Sequence, residues 1–276
     1  MMIKRGVCVE TLFVNFAYEE RIRKVAQLGF SGVEFWHYDQ QYDGVNSIEK
    51  TKDLDAIART VRETGLEVAN FLVNSPDGGK GGSLVKPENR KKYLKRLKEV
   101  IPIAHKLNCK KLTTCSGNQV ERLSYEAQRK SIIDTLNEAS KIVENAGITL
   151  MLEPLNNFVN APHKGHKGCF LTSTLEGAKI IREINHKNIR LLFDIYHMQI
   201  MEGNIISTIE NNIDIIAHIQ GAGVPGRHEL WIGELNYPHI IKRLNELGYK
   251  GYFGLEYLPT IDPEKSLKMT KELLSH

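Results

Sequence analysis

Two hydrophobic periods alternate along the chain. Stretches with helical spacing, such as Leu54, Ile57, Ala58 and Val61 at i, i+3, i+4 and i+7, give way to a glycine and then to a short, nearly continuous apolar run. This punctuation recurs at Gly29-Phe30, Gly65-Leu66, Gly147-Ile148 and Gly248-Tyr249. A glycine takes the left-handed conformation that closes a helix, and the apolar residue after it packs back on the last turn. The stretch before Gly248 has Pro238 near its start and carries Ile240, Leu244 and Leu247 on one face. The apolar runs at 6–10 (GVCVE), 33–35 (VEF), 67–71 (EVANF), 111–114 (KLTT), 148–153 (ITLMLE), 189–194 (IRLLFD), 213–220 (IDIIAHIQ) and 252–256 (YFGLE) read as buried strands. Such strands, alternating with helices, belong to a parallel sheet covered by helices. Eight of these units predict an α/β fold, a single closed (β/α)8 TIM barrel. The alternative is a doubly wound open sheet, but no G-x-G-x-x-G opens a helix here. No linker, low-complexity tract or charge block divides the chain, so residues 1–276 are expected to form one barrel domain.

Composition fits this picture. One barrel fills 276 residues, and a chain of that length buries a core without disulfides or a structural metal. The four cysteines, Cys8, Cys109, Cys115 and Cys169, show neither C-x-x-C nor metal-finger spacing and read as free thiols of a reducing cytoplasm. The opening MMIKRGVCVETLF has too short an apolar stretch for a signal peptide, and no run approaches a membrane span. A cytoplasmic protein with no membrane partner is therefore expected. The net charge of +4 gathers largely at 86–98, KPENRKKYLKRLK, a helix with a solvated basic face rather than a nucleic-acid patch. The expected partner is a small-molecule substrate, with no nucleic acid; a homo-oligomer is compatible with the composition.

Chemistry enters at the ends of the late strands. The fifth run ends in Glu153, the sixth in Asp194, the seventh in Gln220 and the eighth in Glu256. All strands of a parallel barrel point one way, so these side chains converge on the C-terminal rim, where barrel enzymes place their active sites. One such carboxylate alone is often a helix N-cap or half of a salt bridge. Four polar residues ending four consecutive strands are harder to explain so. Three carboxylates in one crevice repel each other, and a divalent cation relieves all three. Two Glu, one Asp and one Gln offer only oxygen donors, which suit one Mg2+ or Mn2+ ion. His197, in DIYH above the sixth strand, and Arg227, in the loop GAGVPGRHE after the seventh, are candidate substrate contacts. The bland alternative for Arg227 is a surface ion pair with Glu229 or Glu234. His163 and His166 in APHKGHKG lack the spacing of a zinc protease site and read as loop or substrate contacts.

The segments LEPLN (152–156), LLFDIYHMQIMEGN (191–204), HIQGAGVPGRHE (218–229), GELNYP (233–238) and GLEY (254–257) resemble the hydroxypyruvate isomerase group of the xylose-isomerase-like TIM barrels. The resemblance spans roughly 149–259; before that it is one of architecture only. It implies that Glu153, Asp194, Gln220 and Glu256 bind one divalent metal, that Glu153 and Glu256 transfer the proton, and that His197 and Arg227 contact substrate. The implied reaction interconverts hydroxypyruvate and tartronate semialdehyde, or a related 2-oxo acid or sugar, through an enediolate. Ketose 3-epimerases, the alternative, generally carry His where this chain has Gln220 and an acidic residue where it has Val159. Leu230-Trp231-Ile232 and the APHKGHKG loop depart from the group near the substrate. Apurinic-site endonucleases look similar in fold, but they need histidines at the third and fourth strand ends, which here read NFLVNS and TTCSGN. A non-catalytic sugar-binding barrel would need no intact carboxylate pair.

Overall fold

The glycine punctuation closes helices: Gly65 and Gly248 both sit at φ +70, a conformation that side-chain-bearing residues adopt at a cost. In the computed structural model, which describes residues 3–275, eight strands follow this rhythm; Met1 and Met2 of the opening MMIKRG lie outside the described residues. The strands are β1 (Lys4–Cys8), β2 (Gly32–Glu34), β3 (Glu67–Leu72), β4 (Lys111–Cys115), β5 (Thr149–Glu153), β6 (Ile189–Asp194), β7 (Ile216–Gly221) and β8 (Tyr252–Leu255). Each pairs in parallel with its sequence neighbour, and β8 returns to β1, with Lys4 opposite Tyr252 and Val7 opposite Leu255, so the barrel closes. The expected (β/α)8 barrel is thus the observed fold.

The helices that cover the strands are α1 (Tyr18–Gln27), α2 (Leu54–Thr64), α3 (Arg90–Lys106), α4 (Tyr125–Asn145), α5 (Thr174–Ile184), α6 (Ile195–Met201), α7 (Ile205–Asn212), α8 (Tyr237–Glu246) and α9 (Pro263–Leu273). Asp53, Ser124, Ser173, Asn236 and Asp262 each accept a backbone N–H at the start of α2, α4, α5, α8 and α9, worth about 1 kcal/mol apiece. Strand residues such as Leu112, Leu150, Leu191 and Phe253 join helix residues such as Ile22, Ile57, Leu97 and Ile132 in one continuous buried core.

Boundaries moved by a few residues. The first strand ends at Cys8, leaving Glu10 in the following loop, and the seventh begins at Ile216 because 213–215 form a turn. The basic run at 86–98 leads into α3 and exposes Lys91, Lys92, Lys95 and Lys98, but Arg96 turns inward and clamps Asp39 through both of its terminal nitrogens, at 2.8 and 2.9 Å. All four cysteines are unpaired and buried. Among the described residues no helix is long and apolar enough to cross a membrane.

The longer β2–α2 connection forms a small antiparallel ribbon of Gln41–Tyr42 and Ser47–Ile48. The buried Lys52 ties it down, pairing with Glu10 at 3.2 Å and donating to the His37 carbonyl at 2.6 Å. Glu10 also accepts the backbone N–H of Trp36. This anchorage fixes Trp36 and His37 at the mouth of the barrel.

Candidate active site

The four strand-end residues come together as their positions demand, though not all at the last strand residue. Glu153 and Asp194 end β5 and β6; Gln220 is next to last in β7, and Glu256 follows β8 by one residue. Register aligns Asp194 with Gln220 and Gln220 with Gly254, which brings the rim residues to one level. All four side chains are buried. Asp194 does act as a helix cap. Its Oδ1 caps α6 by accepting the Tyr196 N–H at 2.8 Å, while its Oδ2 faces the site.

Arg227 is no surface arginine. It is buried at left-handed φ +59, and its Nη2 lies 2.9 Å from Glu256 Oε2 and 3.2 Å from Asp194 Oδ2. Its Nη1 donates to the His163 carbonyl at 2.8 Å and its Nε to the Glu256 carbonyl at 3.2 Å. Glu229, the alternative partner, is instead spent on Thr260 and Ser266, and Glu234 accepts from Gln199.

The electrostatics follow from burial. Desolvation, then the charges of Glu256 and Asp194, push the Glu153 carboxyl well above its usual range. Burial raises Glu256 to about 7 despite Arg227, and raises Asp194 as well. Burial alone would lower Arg227, but Glu256 and Asp194 outweigh it and leave the guanidinium firmly charged. Glu153 accepts no hydrogen bond and joins no ion pair from the described residues, since both nearby carboxylates have taken the arginine.

His197 lies on α6, its Nε2 3.4 Å from Asp194 Oδ2. Its Nδ1 receives the backbone N–H of Asn156 at 3.3 Å, which makes Nδ1 the acceptor and leaves the proton on Nε2. Burial and the charge of Arg227 hold the ring well below its usual pKa, as a neutral donor toward the site. The donor atoms of Glu153, Asp194 and His197 lie within 4.8 Å of one another, a cluster with the composition to hold a metal ion.

A cavity of about 180 Å3 opens over these groups, lined by Glu153, His197, Gln220, Arg227 and Glu256 on one side and by residues of the first half on the other. Trp36 closes one wall: its Nε1 donates to Glu256 Oε1 at 2.6 Å, and His163 stacks on its indole at 4.9 Å. His163 and His166 both line the cavity, as loop residues in reach of a substrate. Sequence reasoning missed Trp36, Asn156 and the buried Glu34. The available signal was a glutamate and a tryptophan in the run VEFW, costly to bury without partners.

Residues 22–274 match the family model described as "Xylose isomerase-like TIM barrel". Hydroxypyruvate isomerase of Escherichia coli (strain K12) is 29% identical over 272 residues, covering 97% of this chain and 98% of that protein. The 2-oxo-tetronate isomerase of Cupriavidus necator is 36% identical over 146 residues, 53% of this chain and 54% of its own. Among solved structures, one described as an AP endonuclease, family 2, from Brucella melitensis superposes with a TM-score of 0.86 at 30% identity, covering 98% of this chain and 99% of its own. With a closed eight-stranded barrel and a carboxylate rim at its C-terminal face, the chain is an isomerase that belongs to the xylose isomerase-like TIM barrel family.

Proposed function

We propose that the protein is a metal-dependent aldose–ketose isomerase acting on hydroxypyruvate and tartronate semialdehyde, or on a related 2-oxo acid or sugar. One observation carries the reading: Glu153 and Glu256 line one cavity, Asp194 is buried beside them, and a single arginine stands among the three, next to an uncommitted amide oxygen. That oxygen is Gln220 Oε1, which is buried and finds no hydrogen-bond partner among the described residues. Three carboxylates, one of them unpaired, and an orphaned carbonyl oxygen suit a divalent cation with oxygen ligands, Mg2+ or Mn2+. A cation held by Glu153, Asp194, Gln220 and Glu256 would supply Lewis-acid stabilisation of the negative charge that develops on the substrate oxygens.

The chain's own groups handle the protons. One of Glu153 and Glu256 removes a proton from the hydroxymethyl carbon. The released electron pair forms the carbon–carbon double bond of an enediolate, with charge passing to the former carbonyl oxygen. The other carboxyl returns a proton to that former carbonyl carbon, and the hydroxyl proton moves from one oxygen to the other. A pair of positioned carboxyl groups suits such general acid–base exchange. His197 offers its Nε2 proton to a substrate oxygen, and Arg227 offers charge-assisted donors. Trp36 and His163 wall the cavity and exclude water from the reacting carbons.

The nuclease description of the Brucella protein finds no counterpart in this cavity, where β3 and β4 contribute Asn70, Leu72 and Thr113 rather than histidines. Two relatives are 2-oxo-tetronate isomerases, so four-carbon acids belong in any assay. The test is to incubate Mn2+-loaded protein in D2O with hydroxypyruvate, 2-oxo-tetronate and neutral ketoses. Solvent deuterium at the carbon next to the carbonyl, together with the isomeric product, is the expected result. Turnover by verified metal-free protein, or a product epimeric at a single carbon, would overturn the reading.

A further inference from the structure

Inside the barrel, side chains from four strands other than those that carry the carboxylate rim meet in one hydrogen-bonded group. Its centre is Glu34, the last residue of β2 and buried. Three nitrogens address its carboxyl group: Gln220 Nε2 at 3.2 Å, His218 Nε2 at 2.7 Å, and Asn70 Nδ2. The Asn70 orientation is fixed from its other side, because Asn70 Oδ1 accepts the Thr113 hydroxyl at 3.0 Å.

This arrangement decides which way Gln220 faces. A carboxylate accepts hydrogen bonds and donates none, so the Gln220 amide must turn its NH2 to Glu34. The oxygen on the same carbon is thereby forced away from Glu34, and that is the atom left buried and unpartnered. Leaving a buried carbonyl oxygen unpaired is costly, so the orientation is imposed by Glu34 rather than chosen by the oxygen. Gly254 of β8, opposite Gln220 in register, makes room for this: a Cβ there would lie 2.1 Å from Glu34 Oε1.

We infer that Glu34 is a positioning residue, which holds Gln220 with its amide oxygen, and never its NH2, presented to the cation. The inference rests on the metal reading above. Without Glu34 the amide is free to turn over and offer NH2, which cannot ligate a cation.

Mn2+ binding to the metal-free protein, measured by calorimetry and by the electron paramagnetic resonance of free Mn2+, tests this in a double-mutant cycle. Glu34→Gln keeps the shape and removes the obligatory acceptor; it should weaken Mn2+ about 10–100-fold, as lost outer contacts to metal ligands do. In the Gln220→Ala background no amide remains to be oriented, and Glu34→Gln should then cost about threefold or less. Gly254→Ala, which displaces Glu34 without changing its charge, should repeat the pattern and replaces Glu34→Gln if that variant does not fold. An equal loss in both backgrounds, or none in either, would overturn the role of Glu34 while leaving the metal site standing. Failure of the unmodified protein to bind Mn2+ would instead reject the metal reading and this inference together.

Discussion

The guanidinium of Arg227 lies 2.9 Å from the carboxylate of Glu256, and the same nitrogen reaches Asp194 at 3.2 Å. Its charge therefore stands where the proposed cation would also act. In metal-free protein Arg227 is, among the described residues, the one arginine or lysine paired with these two buried acids. Arg227→Ala should destabilise the metal-free form by about 3–5 kcal/mol, the scale of breaking a buried pair from one side. Saturating Mn2+ should shrink that deficit, because the cation neutralises the same carboxylates. Denaturant unfolding with and without Mn2+ measures both; a deficit indifferent to metal would mean that cation and carboxylates do not meet.

Glu153→Gln and Glu256→Gln should each lower kcat at least about a hundredfold, the usual effect of removing a positioned acid or base. The two should differ in metal content. Among the described residues Glu153 has no hydrogen-bond or ion-pair partner, whereas Glu256 also receives Trp36 and Arg227. Mn2+ analysis beside the turnover assay separates loss of ligand from loss of proton transfer. Near-normal kcat in either metal-loaded variant would exclude that residue from the proton path.

Much of this site is legible in the sequence because its residues violate the hydrophobic pattern. Glu153 and Asp194 end apolar strands where an acid is costly, and the same reasoning finds Gln220 and Glu256. The partners of those residues are not legible. Arg227 stands near the motif on the page, but its turn inward depends on a left-handed backbone at that residue, which no periodicity announces. Glu34 sits in a three-residue strand, too short for alternation to show which face looks into the barrel. Its contacts to Asn70 and His218 require the register of three strands at once. Trp36 and His163 meet across loops of unrelated sequence position, so their stacking could be read only from the fold.

His37 gives the protein a predictable acid sensitivity. Burial pulls its imidazole down to about 3, and its Nδ1 finds no hydrogen-bond partner among the described residues. The unfolded chain takes up this proton near pH 6.5 while the folded protein stays neutral, so stability present at neutral pH is lost as pH falls from about 6.5 toward 3. Between pH 7 and 4.5 this group should remove about 2–3 kcal/mol. The raised carboxyls of the site act in the opposite direction, so the comparison must be with a variant. His37→Asn should lose less stability than the unmodified protein over that interval; parallel unfolding curves would show that His37 does not titrate as a buried neutral ring.

The choice between acid and neutral substrates turns on Arg227. Among the groups lining the cavity it is the one permanently charged cation, since burial keeps His37, His166 and His197 neutral. A substrate carboxylate therefore has one strong charge-assisted partner available to it, and an ammonium cannot copy the planar guanidinium, whose Nη2 also reaches both Asp194 and Glu256. With hydroxypyruvate, Arg227→Lys should lose the equivalent of about 2–5 kcal/mol in kcat/KM, the cost of disrupting a shielded charge pair. With dihydroxyacetone, which replaces the carboxylate by an uncharged hydroxymethyl group, the same variant should lose much less. Steady-state kinetics on both compounds, at matched Mn2+ occupancy, give the ratio. A large loss confined to the acid places the substrate carboxylate on Arg227. Equal losses on the two would assign Arg227 to ordering Glu256 and Asp194 alone, and would favour a neutral sugar as the substrate.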